Sequence, residues 1–496
     1  MNRQLLRLSV ASVALLVALV VATTYWQTWA VAGLRDRQDN AIQQVAQLSI
    51  ARGHIIGANE KTTLAKNQRR RIAGQTFFFR RYPQRGLAAQ VVGYSTSAGT
   101  RAGLEESLND YLTGANSNLS NVFHRTLDQL GGGTVRGNDV VLTLRPVAQR
   151  LALQELAGRC GAVVAMNPHT GQVYVMASSP TYDPNLLSRR NGYAQILKVK
   201  GECGDASALV NNATAGLYTP GSTFKMVTAA AALDSGTFKP SSTFYDPGYC
   251  VDYGKKVYNS GNPDQTGPET FGNVTLAQGF QHSINSVFCN VGQKLGSKTV
   301  LDYAKRFGFY STPPLETPAS ERAPSGLYQG RKLFWPKDPN AVDVGRLAFG
   351  QERMVVTPLQ MLLVASTIAN GGEVPRPYLV QRVVGPDGSV VARTRPHALG
   401  RAIKPETASE LTQMMVSVVQ AGTGTAAQIP GVQVAGKTGT AETSINHVYN
   451  AWFVCFAPAD HPQVAVAVVV EKQPNGFGGS VAAPIAKAVL ENLLRG

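Results

Sequence analysis

Three short segments carry residue types that can do acyl-transfer chemistry. In Thr219-Pro-Gly-Ser222-Thr-Phe-Lys225, Pro220 and Gly221 break the chain and an Ala-rich helix is expected from Ser222. Positions i and i+3 share a helix face, so the Ser222 hydroxyl and the Lys225 amine can come within hydrogen-bond reach. A hydroxyl at a helix N-terminus has its developing negative charge stabilised by free amides and the dipole. A lysine that is desolvated, or close to another cation, gives up its proton more readily and can take the one from the hydroxyl. Ser-x-x-Lys alone says little, because average residue usage yields it about twice by chance in a chain this long.

Two further segments change the odds. Ser283-Ile-Asn285 lies in a helical region, and Lys437-Thr438-Gly439-Thr440 lies at the end of a strand expected over Val432–Ala435. Average usage yields Lys-Thr-Gly-Thr in far fewer than about 1 in 100 chains of this length. Each residue has a physical job in an acyl transfer on Ser222. Lys437 is the second cation that disfavours protonation of Lys225. Ser283 can relay protons between lysine and a leaving amine, and Asn285 can hold a substrate amide. Lys437, Thr438 and Thr440 can bind a carboxylate. Gly439 lets a substrate backbone approach the strand edge as an added strand. The N–H groups of Ser222 and Thr440 are the expected oxyanion donors. Singly, Thr438 or Asn285 would pass for a capping or turn residue; as a set the residues read as a catalytic centre.

The elements needed to position them are legible in outline. A hairpin is expected from Ala162–Met166, a turn at Asn167–Gly171 and a strand from Gln172–Ala177. Helical patterns follow around 222–235, 275–295, 357–370 and 405–420, then strands at 432–435, 451–457 and 463–471, and a helix over 481–494. This order predicts a mixed α/β domain whose sheet joins both ends of the sequence. Residues 35–150 are more polar. There Arg69, Arg70 and Arg71, with Arg80 and Arg81, surround Phe77-Phe78-Phe79; we read one apolar strand flanked by solvated charges, against a surface for lipid head groups or a partner. Gly131-Gly132-Gly133 reads as a break and Asp139–Leu144 as a strand.

Arg3 and Arg7 precede an uncharged stretch from Leu8 to Leu34, apolar to Ala22 and followed by Tyr25, Trp26 and Trp29. Roughly 20 such residues cross a bilayer, with aromatic residues at its boundary. A cleaved signal peptide usually has a shorter apolar core, so an uncleaved single-pass anchor is the expectation. Arg3 and Arg7, against Arg35 and Arg37 diluted by Asp36 and Asp39, put the N-terminus inside and the bulk of the chain outside the cytoplasm. The net charge of +16 favours anionic partners without choosing among them. No helix-turn-helix, zinc-finger or RNP pattern is present, so nucleic acid is not expected. Cys160, Cys203, Cys250, Cys289 and Cys455 form no metal-binding spacing; one or two disulfides are possible, with Cys455 in a buried strand.

Taken together, the Ser222, Ser283 and Lys437 motifs match the signature of penicillin-recognising serine enzymes. The chain resembles the class B penicillin-binding proteins, the monofunctional D,D-transpeptidases of peptidoglycan, and within them the actinobacterial penicillin-binding protein A group. Arg52-Gly53-His-Ile-Ile56 and Gly103-Leu-Glu-Glu-Ser-Leu-Asn-Asp-Tyr-Leu-Thr-Gly114 are similar to that family's N-terminal pedestal motifs. Gly161–Pro184, Gly350-Gln-Glu-Arg-Met-Val-Val-Thr-Pro-Leu-Gln360 and Ile368-Ala-Asn-Gly-Gly372 are similar to its transpeptidase domain. Gly57-Ala-Asn-Glu60 stands where the family usually carries an Asp-Arg pair, and Ile284 where relatives have Asp or Cys. The resemblance implies an antiparallel sheet covered by helices, an anchor and cytoplasmic tip over 1–34, a pedestal over 35–150 and a transpeptidase domain over 151–496. It implies no cofactor. The implied partners are stem peptides, β-lactam antibiotics, the cell membrane and a SEDS-type glycosyltransferase. D,D-carboxypeptidase, β-lactam sensor and membrane scaffold are the alternatives; a β-lactamase lacks a convincing Glu-x-x-x-Asn for deacylation.

Overall fold

Two strongly apolar stretches, Ala451–Ala457 and Val464–Val470, are buried along their whole length. They form the middle of a five-stranded sheet. Its order is Ala435–Glu442, Val448–Ala457, Val464–Pro474, Gly161–Met166 and Val173–Ser179, every neighbouring pair antiparallel. The period of two sends alternate residues to opposite faces. Phe453, Cys455, Val466 and Val468 pack with Ala482, Ile485 and Val489 of the closing helix Gly478–Arg495. Trp452, Val454, Ala467 and Val469 belong to the other core, with Met361, Leu362 and Ala365 of helix Pro358–Ala369. Helices cover both faces, which is why these strands read as unbroken apolar runs. The expected mixed α/β domain, with a sheet drawn from both ends of the sequence, is what the chain forms. The structure, a computed structural model, describes residues 2–25, 45, 47–115, 134–204, 207–259, 268–338, 341–443, 445 and 447–495.

A second sheet crosses position 150. Val390–Arg393, Val380–Val384, Asp139–Leu142, Ile55–Ile56, Thr63–Ile72 and Gln75–Arg81 are neighbours in that order. Backbone hydrogen bonds between Val380–Val384 and Asp139–Leu142 therefore tie the N-terminal part to the later part. An Arg382–Glu60 ion pair at 2.6 Å lies at the same junction.

The basic stretch differs from the expected single strand. Thr63–Ile72 and Gln75–Arg81 form one antiparallel ribbon, reversing at Ala73-Gly74, where both residues take positive φ. Arg69, Arg70, Arg71 and Arg81 are exposed, but the Arg80 side chain is buried. Arg80 meets Glu105, which is fully enclosed and also accepts from Arg52 at 3.0 Å and from the Tyr82 hydroxyl. Arg52 also donates to Asn109 Oδ1 at 2.8 Å. Burial alone would raise the Glu105 pKa, yet Arg80 and Arg52 outweigh it and hold the carboxyl below its ordinary value. The two N-terminal motifs thus meet as a buried ion cluster, in which Arg80 supplies a charge that motif matching did not single out.

Helix Asn2–Tyr25 contains an apolar span, Arg7–Tyr25, long enough to cross a membrane, with none of its length packed against the rest of the protein. Trp26, Trp29, Leu34 to Asp39 and Gly131–Gly133 lie outside the described residues. Cys160–Cys203 and Cys250–Cys289 are disulfides, with Cα separations of 5.8 and 6.3 Å. Cys455 is a buried free thiol whose pKa burial raises.

Replacing Glu105 with Gln leaves two buried guanidinium groups facing a neutral amide. A loss of about 3–5 kcal/mol is expected in urea unfolding of the detergent-solubilised chain, the scale for breaking a buried pair. Because the folded state binds this proton less tightly than the unfolded state, the wild type also loses stability as pH falls through the glutamate range. Glu105→Gln lacks that component; an unchanged acid slope would contradict the assignment.

Candidate active site

Pro220 and Gly221 end the preceding segment, and the residues from Gly221 to Phe224 form one tight 3-10 turn before helix Lys225–Asp234. Ser222 therefore sits on the turn and not in the α-helix proper, a small correction to the expected start. The turn is clasped by segments far away in sequence. Tyr218 exchanges backbone hydrogen bonds with Val356, at 3.0 and 2.8 Å, and Gly221 N–H donates to Gly350 O at 3.2 Å. Trp452 Nε1 donates to Thr219 O at 3.0 Å. The Gly350–Gln360 segment, which the sequence marks only as a motif, thus has a mechanical role, since it carries acceptors for the Ser222 turn.

The Lys-Thr-Gly segment lies inside the edge strand Ala435–Glu442, not at the end of a strand over Val432–Ala435. The pairing Lys437↔Val454 through Thr440↔Ala451 moves the strand's start downstream of the prediction. Along this edge Gly439 touches the chain's own turn. A side chain there would place Cβ 2.8 Å from Thr223 Cγ2 and 2.9 Å from Pro220 O. At Gly221, with φ of 52°, a Cβ would lie 3.0 Å from Thr440 O. The two glycines let the Ser222 turn and the strand edge approach closely; the bare Cα of Gly439 faces Pro220 and Thr223, whereas the motif alone suggested a substrate backbone there. Thr438 Oγ1 shares a 2.6 Å hydrogen bond with Thr423 Oγ1, and Thr440 Oγ1 accepts from Gly478 N–H at 3.3 Å. Thr423 and Gly478 belong to no motif, so the sequence does not single them out.

Ser283-Ile-Asn285 was expected within a continuous helix over 275–295. Instead the helix breaks into Leu276–Gln281 and Asn285–Leu295. Ser283 occupies the break with φ of 61°, a left-handed conformation that costs a non-glycine residue roughly 1–3 kcal/mol. The break turns the serine toward both lysines.

Lys225 and Lys437 are both fully buried. Lys225 Nζ donates to Ser283 O at 2.6 Å, Asn285 Oδ1 at 2.8 Å and Ser283 Oγ at 3.3 Å. Lys437 Nζ donates to the same Ser283 Oγ at 2.8 Å and to Thr438 O at 3.1 Å. One hydroxyl oxygen thus accepts from two amines and keeps its own hydrogen to give. Phe288 and Phe349 lie beneath Lys225, and Phe280 beneath Lys437. Burial first and the Lys437 charge second push Lys225 well below the ordinary lysine pKa; burial brings Lys437 down to about 7. Three of the sequence-derived segments are therefore joined by direct hydrogen bonds through Lys225, Ser283, Asn285 and Lys437.

The expected Ser222–Lys225 hydrogen bond is not made. Among the described residues, the three donors of a charged Lys225 find acceptors on Ser283 and Asn285. Only the neutral amine, with two hydrogens and a lone pair, has capacity left to accept from Ser222. The arrangement can activate a serine one helical turn away, provided that the lysine pair has shed a proton.

Known proteins share this fold. The penicillin binding protein transpeptidase domain family matches residues 161–491, and the penicillin binding protein A dimerisation domain family matches residues 52–140. Peptidoglycan D,D-transpeptidase PbpA of Mycobacterium tuberculosis is 34% identical over 509 residues, covering 100% of both chains. Its counterpart from Mycolicibacterium smegmatis is 34% identical over 514 residues, covering 100% of this chain and 99% of that one. The ceftriaxone acyl-enzyme complex of penicillin-binding protein A from M. tuberculosis superposes with a TM-score of 0.79 at 33% identity, over 90% of this chain and 99% of that chain. Matched from end to end, the chain belongs to the class B penicillin-binding protein transpeptidases.

Proposed function

We propose that the protein is a peptidoglycan D,D-transpeptidase working through a Ser222 acyl-enzyme. Neutral Lys225 takes the Ser222 proton as Oγ attacks the penultimate D-Ala carbonyl of a stem peptide. The oxyanion is held by the Ser222 and Thr440 N–H groups, and Lys437, Thr438 and Thr440 bind the terminal carboxylate. The proton passes through Ser283 to the departing D-Ala amine as the peptide bond breaks. An amine of a neighbouring stem peptide then attacks the ester, gives its proton back along the same path, and forms the cross-link. A β-lactam acylates the same oxygen, but its leaving amine stays tethered to the acyl group. The single observation that carries this reading is the hydrogen bonding of two buried lysines to one serine beside the nucleophile turn.

Residues 1–34 are read as cytoplasmic tip and anchor, 35–150 as pedestal and 151–496 as the catalytic domain, with the last two sharing a sheet. The apolar helix supports single-pass anchoring, and two disulfides support an extracytoplasmic location for the rest. A SEDS-type glycosyltransferase is the partner that membership of the family implies.

Labelling by a fluorescent penicillin should fall to background in Ser222→Ala while the unfolding midpoint stays close to wild type; equal labelling of both proteins would reject the mechanism. The second-order acylation rate should be bell-shaped in pH, since it needs Lys225 neutral and Lys437 charged, with the alkaline limb beginning near pH 7. Removing the neighbouring positive charge in Lys437→Met favours protonated Lys225, so the acid limb should move to higher pH and the alkaline limb should disappear. An acid limb that stays in place or moves lower would contradict this. Ser283→Gly relieves the left-handed backbone, whereas Ser283→Ala does not. Both should acylate slowly, while Gly should be the more stable of the two by roughly 1 kcal/mol in urea unfolding.

A further inference from the structure

Asp246, the last residue of strand Thr243–Asp246, is a carboxylate 1% exposed, and it belongs to none of the three motifs. Four donor groups converge on it. Oδ1 accepts from Ser286 Oγ at 2.5 Å, Gly248 N–H at 2.9 Å and Asn259 Nδ2 at 3.0 Å. Oδ2 accepts from Asn259 Nδ2 at 2.9 Å and Phe271 N–H at 3.0 Å. Asn259 Nδ2 also donates to Glu269 O at 2.9 Å, so its amide has one consistent orientation, with Oδ1 left to accept from Ser286 N–H at 2.9 Å. The adjoining Tyr258 O accepts from Asn285 Nδ2 at 3.2 Å. That bond turns the other end of the Asn285 amide, Oδ1, onto Lys225 Nζ.

These contacts run from a buried carboxylate to the base without a gap. Asp246 fixes Ser286 and Asn259; the Tyr258-Asn259 pair fixes residues 285 and 286; and Asn285 meets Lys225. We propose that Asp246 is a positioning residue for acylation, holding the first turn of helix Asn285–Leu295 so that Asn285 faces Lys225. The proposal rests on the reading of Lys225 as the base. Three of the four groups around Asp246, the Gly248 and Phe271 N–H groups and the Asn259 amide nitrogen, can only donate, and they match the acceptor oxygens of a carboxyl side chain. An asparagine of the same shape would turn the two hydrogens of its own amide nitrogen toward some of these donors and lose their hydrogen bonds.

The test is a double-mutant cycle on the full chain in detergent. It reads the acylation rate constant with a fluorescent penicillin for wild type, Asp246→Asn, Asn285→Ala and the double variant, alongside urea midpoints. Asp246→Asn should slow acylation about 10–100-fold, the scale of a lost hydrogen bond to a charged group. It should cause no further slowing in the Asn285→Ala background, because the residue acts through Asn285. A general loss of stability would lower the urea midpoint by the same amount in both backgrounds and would not abolish the rate effect in one of them. Equal slowing in both backgrounds, or none in either, overturns the proposal. If Asp246→Asn gives no cooperative unfolding transition, Ser286→Ala takes its place in the cycle, with a smaller slowing that must likewise vanish beside Asn285→Ala. Lys225→Ala separates the two claims: full acylation by that variant would overturn the reading of the base, whatever the cycle gives.

Discussion

Two ammonium groups taken out of water and aimed at one hydroxyl oxygen form the constraint on which the site depends. Neither Lys225 nor Lys437 has a carboxylate within ion-pair distance among the described residues, and each is enclosed by aromatic rings. Burying a charge without a counter-charge is costly, and the group responds by giving up its proton. The fold thus makes a base out of a residue that is ordinarily an acid at neutral pH. In the proposed mechanism the same burial accounts for nucleophile activation without a histidine.

Holding that pair together takes parts from across the chain. Lys437 comes from an edge strand that closes a sheet begun nearly 300 residues earlier, at Gly161. Lys225 begins a helix whose preceding turn is clasped by the Gly350–Val356 segment and by Trp452. Ser283 and Asn285 come from a helix break. The Cys250–Cys289 disulfide ties the helix that Asn285 starts to strand Tyr249–Asp252, one more restraint on the same element. Cross-links of this kind limit the unfolded chain, and a loop of this length contributes roughly 3–4 kcal/mol.

The sequence made some of this legible and hid the rest for physical reasons. Apolar runs at 451–457 and 463–471 announced strands, and the Ala-rich segment after Ser222 announced a helix. Motif spacing identified Ser222, Lys225, Ser283, Asn285 and Lys437, of which the last four are in direct hydrogen-bond contact here. The break at Ser283 was invisible, because a serine in the left-handed region leaves no mark in a periodic pattern. Strand limits around Lys437 were misplaced, since Gly436 and Gly439 interrupt the side-chain pattern; a Cβ at Gly436 would meet the Phe453 ring, and one at Gly439 would meet Pro220 O and Thr223. Thr423 and Asp246 act only through partners distant in sequence, for which a single chain without its contacts offers no signal, and Arg80 stands out only as one of a basic run, not as the buried partner of Glu105.

Protonation of the buried pair can be observed directly. In the full-length protein labelled at lysine 13Cε, with Lys225→Arg and Lys437→Arg as assignment controls, the two resonances report whether each nitrogen carries two or three hydrogens. The account predicts that at pH 7 the pair has lost a proton, with Lys225 on the neutral side, while exposed lysines remain charged. Two fully protonated lysines persisting to pH 9 would contradict it.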